Sequence, residues 1–404
     1  MKVLIWDYRI PLINCGGPSG YLSQIKNAIK GTEYENTIYF VSDILKKNND
    51  NIFKKNSRKN LSSLGFLKYL RSTLSLYKSV SCPIKEEVIT FNINEFTHIH
   101  FHSTSDLYLA RNILGNYRGT ILLTSHSPEP SADEKIKRAY GSKSSSIFIQ
   151  YMRNFLLKID LYAFRKADYL MFPVSQATEP YEVDSLCKNI LELRADNIVC
   201  CPTCINDFIF DKDYIAQFRT KYGIPKDAFI VCYMGRHNEI KGYDILKDIA
   251  QKVLESNSNV YFVIAGNSGE IAPLQNKRWI EIGWTDKGNE IIAASDLFIL
   301  PNRQTYFDLI ALEVLRAGTP ILMSFTGGNK YFYEKFPDSQ CFQFFNISST
   351  LEAVNSIEQL SKDTEKLISI KNEARYVWLN NFTMKNYLES YLIMLKKTLQ
   401  PQNE

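Results

Sequence analysis

The feature that most constrains this chain is a repeated alternation: short, continuously apolar runs separated by longer amphipathic stretches. KVLIWDY, TIYFVSDI, THIHFH, TILLTSH, YLMFPVS and NIVCCP read as strands in the first half, and FIVCYMG, VYFVIAG, WIEIGW, DLFILP and PILMSF in the second. Strands that are apolar at successive positions are buried on both faces, which requires parallel sheets covered by helices. The expected class is therefore α/β, built from doubly wound Rossmann-like domains with ligand sites at the carboxyl ends of the strands. At 404 residues the chain exceeds the usual size of one core. The pattern breaks near 203–212 (TCINDFIFDK) and restarts at KYGIPKDAFIVCYMG. We expect an N-terminal domain over 1–205, a C-terminal domain over 206–380, and a terminal helix over 381–404 that returns to the N-terminal domain. The stretch ARYVWLNNFTMKNYLESYLIMLKKTL reads as one long amphipathic helix, and PQNE as a frayed tail.

Composition removes several alternatives. With 45% apolar and 23% charged residues the chain is an ordinary globular one, and no run is long and apolar enough for a transmembrane helix. Asp7 and Arg9 cut the apolar core of MKVLIWDYRI too short for a signal peptide. The cysteines at 200, 201 and 204 lack the second ligand pair that a zinc site needs, so they read as reduced cytoplasmic thiols. Charge is unevenly spread. Residues 46–80 carry nine Lys or Arg against one Asp, and residues 135–166 carry eight against one Asp, interleaved with aromatics. Such stretches are either solvated faces or a surface for anionic lipid headgroups or a phosphate-bearing acceptor. No nucleic-acid motif accompanies them.

Three segments carry chemistry. In NCGGPSGYLSQIKNAI, Gly16, Gly17 and Gly20 follow a strand and lead into a helix, a turn that lets backbone amides approach an anion, or a turn that uses glycine for backbone reasons alone. In VCYMGRHNEIKGYDILKDIA, Arg236 and Lys241 bracket a loop at the carboxyl end of the second domain's first strand. A bidentate guanidinium and a point charge there suit a diphosphate, the alternative being two solvated charges. In NRQTYFDLIALEVLRAGTP, Glu313 sits in an apolar, helix-patterned stretch near an expected helix start, as a partner of the helix dipole or of ligand hydroxyls. Neither half carries GxGxxG with an acidic residue about twenty positions on, which disfavours a dinucleotide-dependent dehydrogenase.

GRHNEIKGYD, VIAGNSG, IEIGWTD and SDLFILPNRQTYFDLIALEVLRAGTPIL resemble, in order and spacing, the C-terminal domain of the retaining GT-B glycosyltransferases of family four (glycosyl transferases group 1). NCGGPSGY, THIHFH, TSHSP and FRKADYLMFPVSQA resemble their N-terminal domain more loosely. The resemblance implies GT-B architecture, with two Rossmann-like domains facing a central cleft. It also implies transfer of a hexose from a nucleotide-diphosphate sugar, UDP-sugar favoured, without cofactor or metal. The acceptor would be a glycan or lipid-linked glycan, as in bacterial surface polysaccharide, lipopolysaccharide or glycoprotein glycan synthesis. The site would be cytoplasmic, with peripheral contact at the inner face of the cell membrane. By the same resemblance Arg236 and Lys241 would hold the diphosphate, Glu313 the ribose hydroxyls, Gly16 and Gly17 a phosphate, main chain near Ile282 and Gly283 the base, and His126 the reacting sugar. Thr305, Asp308 and Leu309 complete the donor-binding set. His98, His100 and His102 alternate along one strand and read as core and strand-end residues. Asp211 and Asp213 form a DxD, but in the linker, so it is not read as a metal site.

One departure stands out. The family carries glutamates eight apart, and eight before Glu313 this chain has Thr305, with Asp308 where a glycine is usual. Asp308 could supply the missing carboxylate from one turn later. The alternative is a catalytically weakened homologue that binds a nucleotide sugar or serves as a partner subunit.

Overall fold

The structure, a computed structural model, describes residues 1–8, 10, 12, 17–48, 65–126, 129–140 and 147–399. It divides into two compact units. The first comprises Met1–Phe172, Thr178–Cys201 and Leu388–Glu404, and the second Pro173–Ala177 and Pro202–Tyr387. The first holds β1 (Val3–Trp6), β2 (Ile38–Phe40), β3 (His98–Phe101), β4 (Thr120–Leu123), β5 (Tyr169–Phe172) and β6 (Ile198–Cys200), in the order β2-β1-β3-β4-β5-β6. The second holds β7 (Phe229–Met234), β8 (Val260–Ala265), β9 (Trp279–Gly283), β10 (Leu297–Leu300), β11 (Ile321–Ser324) and β12 (Phe342–Phe345), in the order β12-β11-β10-β7-β8-β9. All strand pairs are parallel. Val3–Trp6 and Leu297–Leu300 are buried at every position, as strands covered on both faces must be. Strand order reverses between β1 and β3 in the first unit and between β7 and β10 in the second, where doubly wound sheets bind ligands.

Three expectations are corrected. TIYFVSDI is only half strand, because β2 ends at Phe40 and a helix, Val41–Asn48, takes over. The buried Asp7 carboxylate accepts bonds from the Ser42 amide (2.8 Å) and hydroxyl, which satisfies a donor in that helix's first turn. FQFF forms β12, an edge strand whose middle residues are half-buried, so its apolar signal is weak. The long C-terminal helix is two, Thr364–Asn381 and Met384–Lys397. Thr383 and Asn386 exchange amide-to-side-chain bonds of 3.2 and 3.3 Å, a reciprocal cap that starts the second helix. The Ile205 amide bonds the Phe382 carbonyl at the break (3.1 Å). In the first unit, the Tyr391 hydroxyl lies 2.8 Å from His100 Nδ1. No helix among the described residues is long and apolar enough to cross a membrane.

Candidate functional site

In the second unit, the loops after β7 and β10 emerge side by side where the strand order reverses. Gly242 joins them closely. Its φ is +64°, and a Cβ there would lie 1.8 Å from the Pro301 carbonyl oxygen, so only glycine fits. Lys241 Nζ lies 2.7 Å from Asp308 Oδ2, which the Asn302 amide also reaches. Arg236 is exposed, and its guanidinium meets no partner among the described residues. Its backbone is fixed instead, by the Tyr233 hydroxyl donating to the Arg236 carbonyl at 3.0 Å.

Asp308 precedes the helix Leu309–Ala317 without capping it through its side chain. The amides of Leu309 and Ile310 therefore meet no acceptor among the described residues, an open helix N-terminus of the kind that receives anions. Glu313 lies in the second turn, not at the helix start as expected, beyond the reach of the favourable terminal dipole. It is half-buried, and no hydrogen-bond donor among the described residues meets its carboxylate. Desolvation pushes its pKa up, against a smaller opposing pull from Arg316. The Arg316 guanidinium is itself committed to the Asn206 carbonyl and the Asn289 side chain, both at 2.6 Å.

Thr305 corrects a second expectation. It is wholly buried, and its hydroxyl, enclosed and unpartnered among the described residues, is not offered to a ligand. The pair Gly327–Gly328, which sequence reasoning missed, packs here. The Gly328 amide bonds the Thr305 carbonyl at 3.2 Å, and a Cβ on Gly327 would lie 2.2 Å from that oxygen. Asp308 is not a free carboxylate either, since Lys241 and Asn302 share one of its oxygens.

At the β9 end, Ile282 and Gly283 are half-buried, and the Gly283 carbonyl accepts from the Gly266 amide at 2.9 Å. Glu281 ties β9 to the start of the helix Tyr243–Ser256 through the Tyr243 hydroxyl (2.5 Å) and also accepts from the Trp279 indole of its own strand (2.7 Å), with the His237 ring of the β7 loop stacked on Tyr243 at 4.1 Å. Asp211 of the DxD caps the helix Lys212–Lys221 and pairs with Lys287 at 2.9 Å. Among the described residues no three His, Cys, Asp or Glu side chains are grouped as metal ligands.

In the first unit, Gly17 opens the helix Gly17–Ile29, whereas Gly16 lies outside the described residues. His126 follows β4 and His102 follows β3. Their Nε2 and Nδ1 atoms are 2.9 Å apart, and Tyr21 packs 5.0 Å from the His126 ring. His102, read from sequence only as a strand-end residue, thus contacts His126 directly. Burial lowers the pKa of His126 to about 4, of His98 to about 4 and of His100 to about 3. All are neutral near pH 7.

Residues 228–359 match the family model of glycosyl transferases group 1. The D-inositol 3-phosphate glycosyltransferase 1 of Catenulispora acidiphila is 29% identical over 131 residues, covering 28% of this chain and 31% of that protein. The lipopolysaccharide core biosynthesis glycosyltransferase LpsE of Rhizobium meliloti is 23% identical over 199 residues, covering 47% and 56%. The chain thus spans about a third to a half of the length of these curated relatives. Anabaena HepE, solved with UDP-glucose, shares the fold over 98% of this chain and 100% of its own, with a TM-score of 0.60 at 15% identity. The two Rossmann-like units are those of a GT-B glycosyltransferase fold, as the sequence resemblance implied.

Proposed function

We propose that this chain, whose second unit matches glycosyl transferases group 1, is a retaining, metal-independent glycosyltransferase. Its donor is a UDP-sugar and its acceptor a glycan or lipid-linked glycan of a bacterial surface polymer. The observation that carries the reading is Glu313, a desolvated carboxylate that no described residue pairs and that the helix dipole does not stabilise. A fold keeps such a group at a cost unless a ligand supplies donors, and vicinal ribose hydroxyls are such donors. The open amides at Leu309 and Ile310, with Arg236 and Lys241, supply positive potential for a diphosphate and stabilise it as the glycosidic bond breaks. Main chain at Ile282 and Gly283 then borders the base. His126 contacts an oxygen of the sugar, and the leaving phosphate takes the acceptor's proton. The UDP-glucose held by HepE supports the choice of donor.

A membrane-facing role accompanies this reading. Ile147, Phe148 and Tyr151 are exposed at the start of the helix Ile147–Lys166, as are Leu74 and Tyr77 on Gly65–Ser81, with Arg71, Lys78 and Lys158 exposed nearby in sequence. Tyr77 and Phe155 bring the two helices into ring contact at 5.3 Å. Arg153 is not part of a free basic face, because Asp133 and Asp184 hold it at 2.5 and 2.8 Å. The basic residues of 49–64 and Lys143 lie outside the described residues. Peripheral contact with anionic lipid at the cytoplasmic face fits the exposed apolar and basic side chains.

A second reading, a weakened homologue that binds donor without turnover, is favoured by the Lys241–Asp308 pair and the enclosed Thr305. Purified protein screened against nucleotide sugars with lipid-linked glycan acceptors separates the two. The enzyme reading expects transfer that EDTA does not abolish. Donor binding with no transfer to any acceptor would sink it in favour of the second.

A further inference from the structure

The geometry points to His102 as a positioning residue that holds the ring proton of His126 on Nδ1, so that His126 meets substrate as a neutral hydrogen-bond donor and never as a proton carrier. This rests on the proposed reading that His126 contacts a sugar oxygen.

The two residues leave the carboxyl ends of neighbouring parallel strands, Phe101 of β3 standing opposite Leu123 of β4. His102 Nδ1 and His126 Nε2 lie 2.9 Å apart, so one carries the shared proton and the other accepts it. The far nitrogen of His102 decides which. His102 Nε2 is enclosed and meets no partner among the described residues. An orphaned buried N–H is rarer and costlier than an orphaned lone pair, so Nε2 is the bare nitrogen and the proton sits on Nδ1. His102 therefore donates to His126 Nε2, and the proton of neutral His126 is left on Nδ1. No described residue hydrogen-bonds that Nδ1.

The surroundings keep the pair neutral. The next ring in the row, His100, lies 4.0 Å from His102 but spends both nitrogens elsewhere, on Tyr391 and Thr124, each at 2.8 Å. Tyr21 faces both rings from the helix Gly17–Ile29. Among the described residues no carboxylate forms an ion pair with either ring, so nothing stabilises an imidazolium. Burial lowers both pKa values, and the neighbouring imidazoles lower that of His102 further.

The chain has five histidines, few enough to resolve by histidine-selective nitrogen-15 labelling, where protonated and bare ring nitrogens resonate apart. The wild type should show His126 protonated on Nδ1 and bare on Nε2, unchanged from about pH 6 to about pH 8. His102→Leu should release the proton to Nε2. His102→Asn, whose side-chain amide can replace the Nδ1 donor, should retain it. In calorimetry, His102→Leu should weaken UDP-glucose roughly tenfold while leaving UDP unchanged, and His102→Asn should restore most of the loss. A His126 signal protonated on Nε2 in the wild type, or one that titrates across this range, overturns the proposal. So does UDP-glucose affinity indifferent to His102→Leu in a protein that binds UDP. If no nucleotide binds at all, the proposed function fails, and the nitrogen signals still decide the tautomer.

Discussion

The Lys241 ammonium lies 2.7 Å from the Asp308 carboxylate, so on the proposed reading a diphosphate there would compete with Asp308 for one cation. This pairing joins residues 67 apart, so no local pattern announced it. Replacing Asp308 by Asn should free Lys241 and tighten UDP about threefold or more by calorimetry, the scale of one partly exposed ion pair. If Asp308 instead holds the donor sugar, UDP-glucose would weaken while UDP would not. The buried histidines make a different prediction. Held at about 4 for His98 and His126 and about 3 for His100, they bind fewer protons folded than unfolded below their ordinary value of 6.5. Stability therefore rises with pH across that window and is lost as pH falls through it. The urea midpoint should drop as pH is lowered from about 6.5 to about 4, and a flat midpoint would contradict the assignment. The positions of Arg236 and Lys241 after β7 were legible in the sequence because the apolar pattern places that strand, whereas Glu313 stands one turn deeper in its helix than expected. The roles of Thr305 and His102 were not legible, since enclosure of one hydroxyl and one ring nitrogen depends on packing from distant segments such as Gly327–Gly328.

Central strands among the eleven read from sequence, such as β1, β7, β8 and β10, are buried almost throughout and leave a continuous apolar signature, while the edge strands β6 and β9 are only partly buried and were read from their apolar composition alone. β12 escaped because FQFF is short and carries a glutamine that interrupts its apolar run. The C-terminal break escaped because amphipathic periodicity runs on through Phe382. What ends the first helix is tertiary. The Phe382 side chain is wholly buried among Phe307, Phe332 and Phe336, at centroid distances of 6.5, 5.8 and 6.0 Å. Phe382→Ala should cost about 3–5 kcal/mol in chemical denaturation, the range for emptying an aromatic core site. A cost below about 1 kcal/mol would mean that the site collapses or that this packing does not set the break.

For the molecule as a whole, exposed Ile147, Phe148 and Tyr151 with the surrounding basic residues predict adsorption to vesicles rich in anionic lipid, weakening as salt rises. Replacing Phe148 and Tyr151 together by Ser should lower that binding about tenfold or more without altering UDP affinity, while salt-independent or absent binding would return these residues to a solvated face. The central claim is that the second unit holds a nucleotide sugar through the Glu313 carboxylate, which no described residue hydrogen-bonds. Calorimetric titration of UDP-glucose into the wild type and into Glu313→Gln tests it most directly. The account predicts binding by the wild type, at least about tenfold weaker in the variant, with a melting temperature equal to or above the wild type's because a desolvated charge has been removed. Equal affinity in both proteins, or a variant that loses stability along with binding, would contradict it.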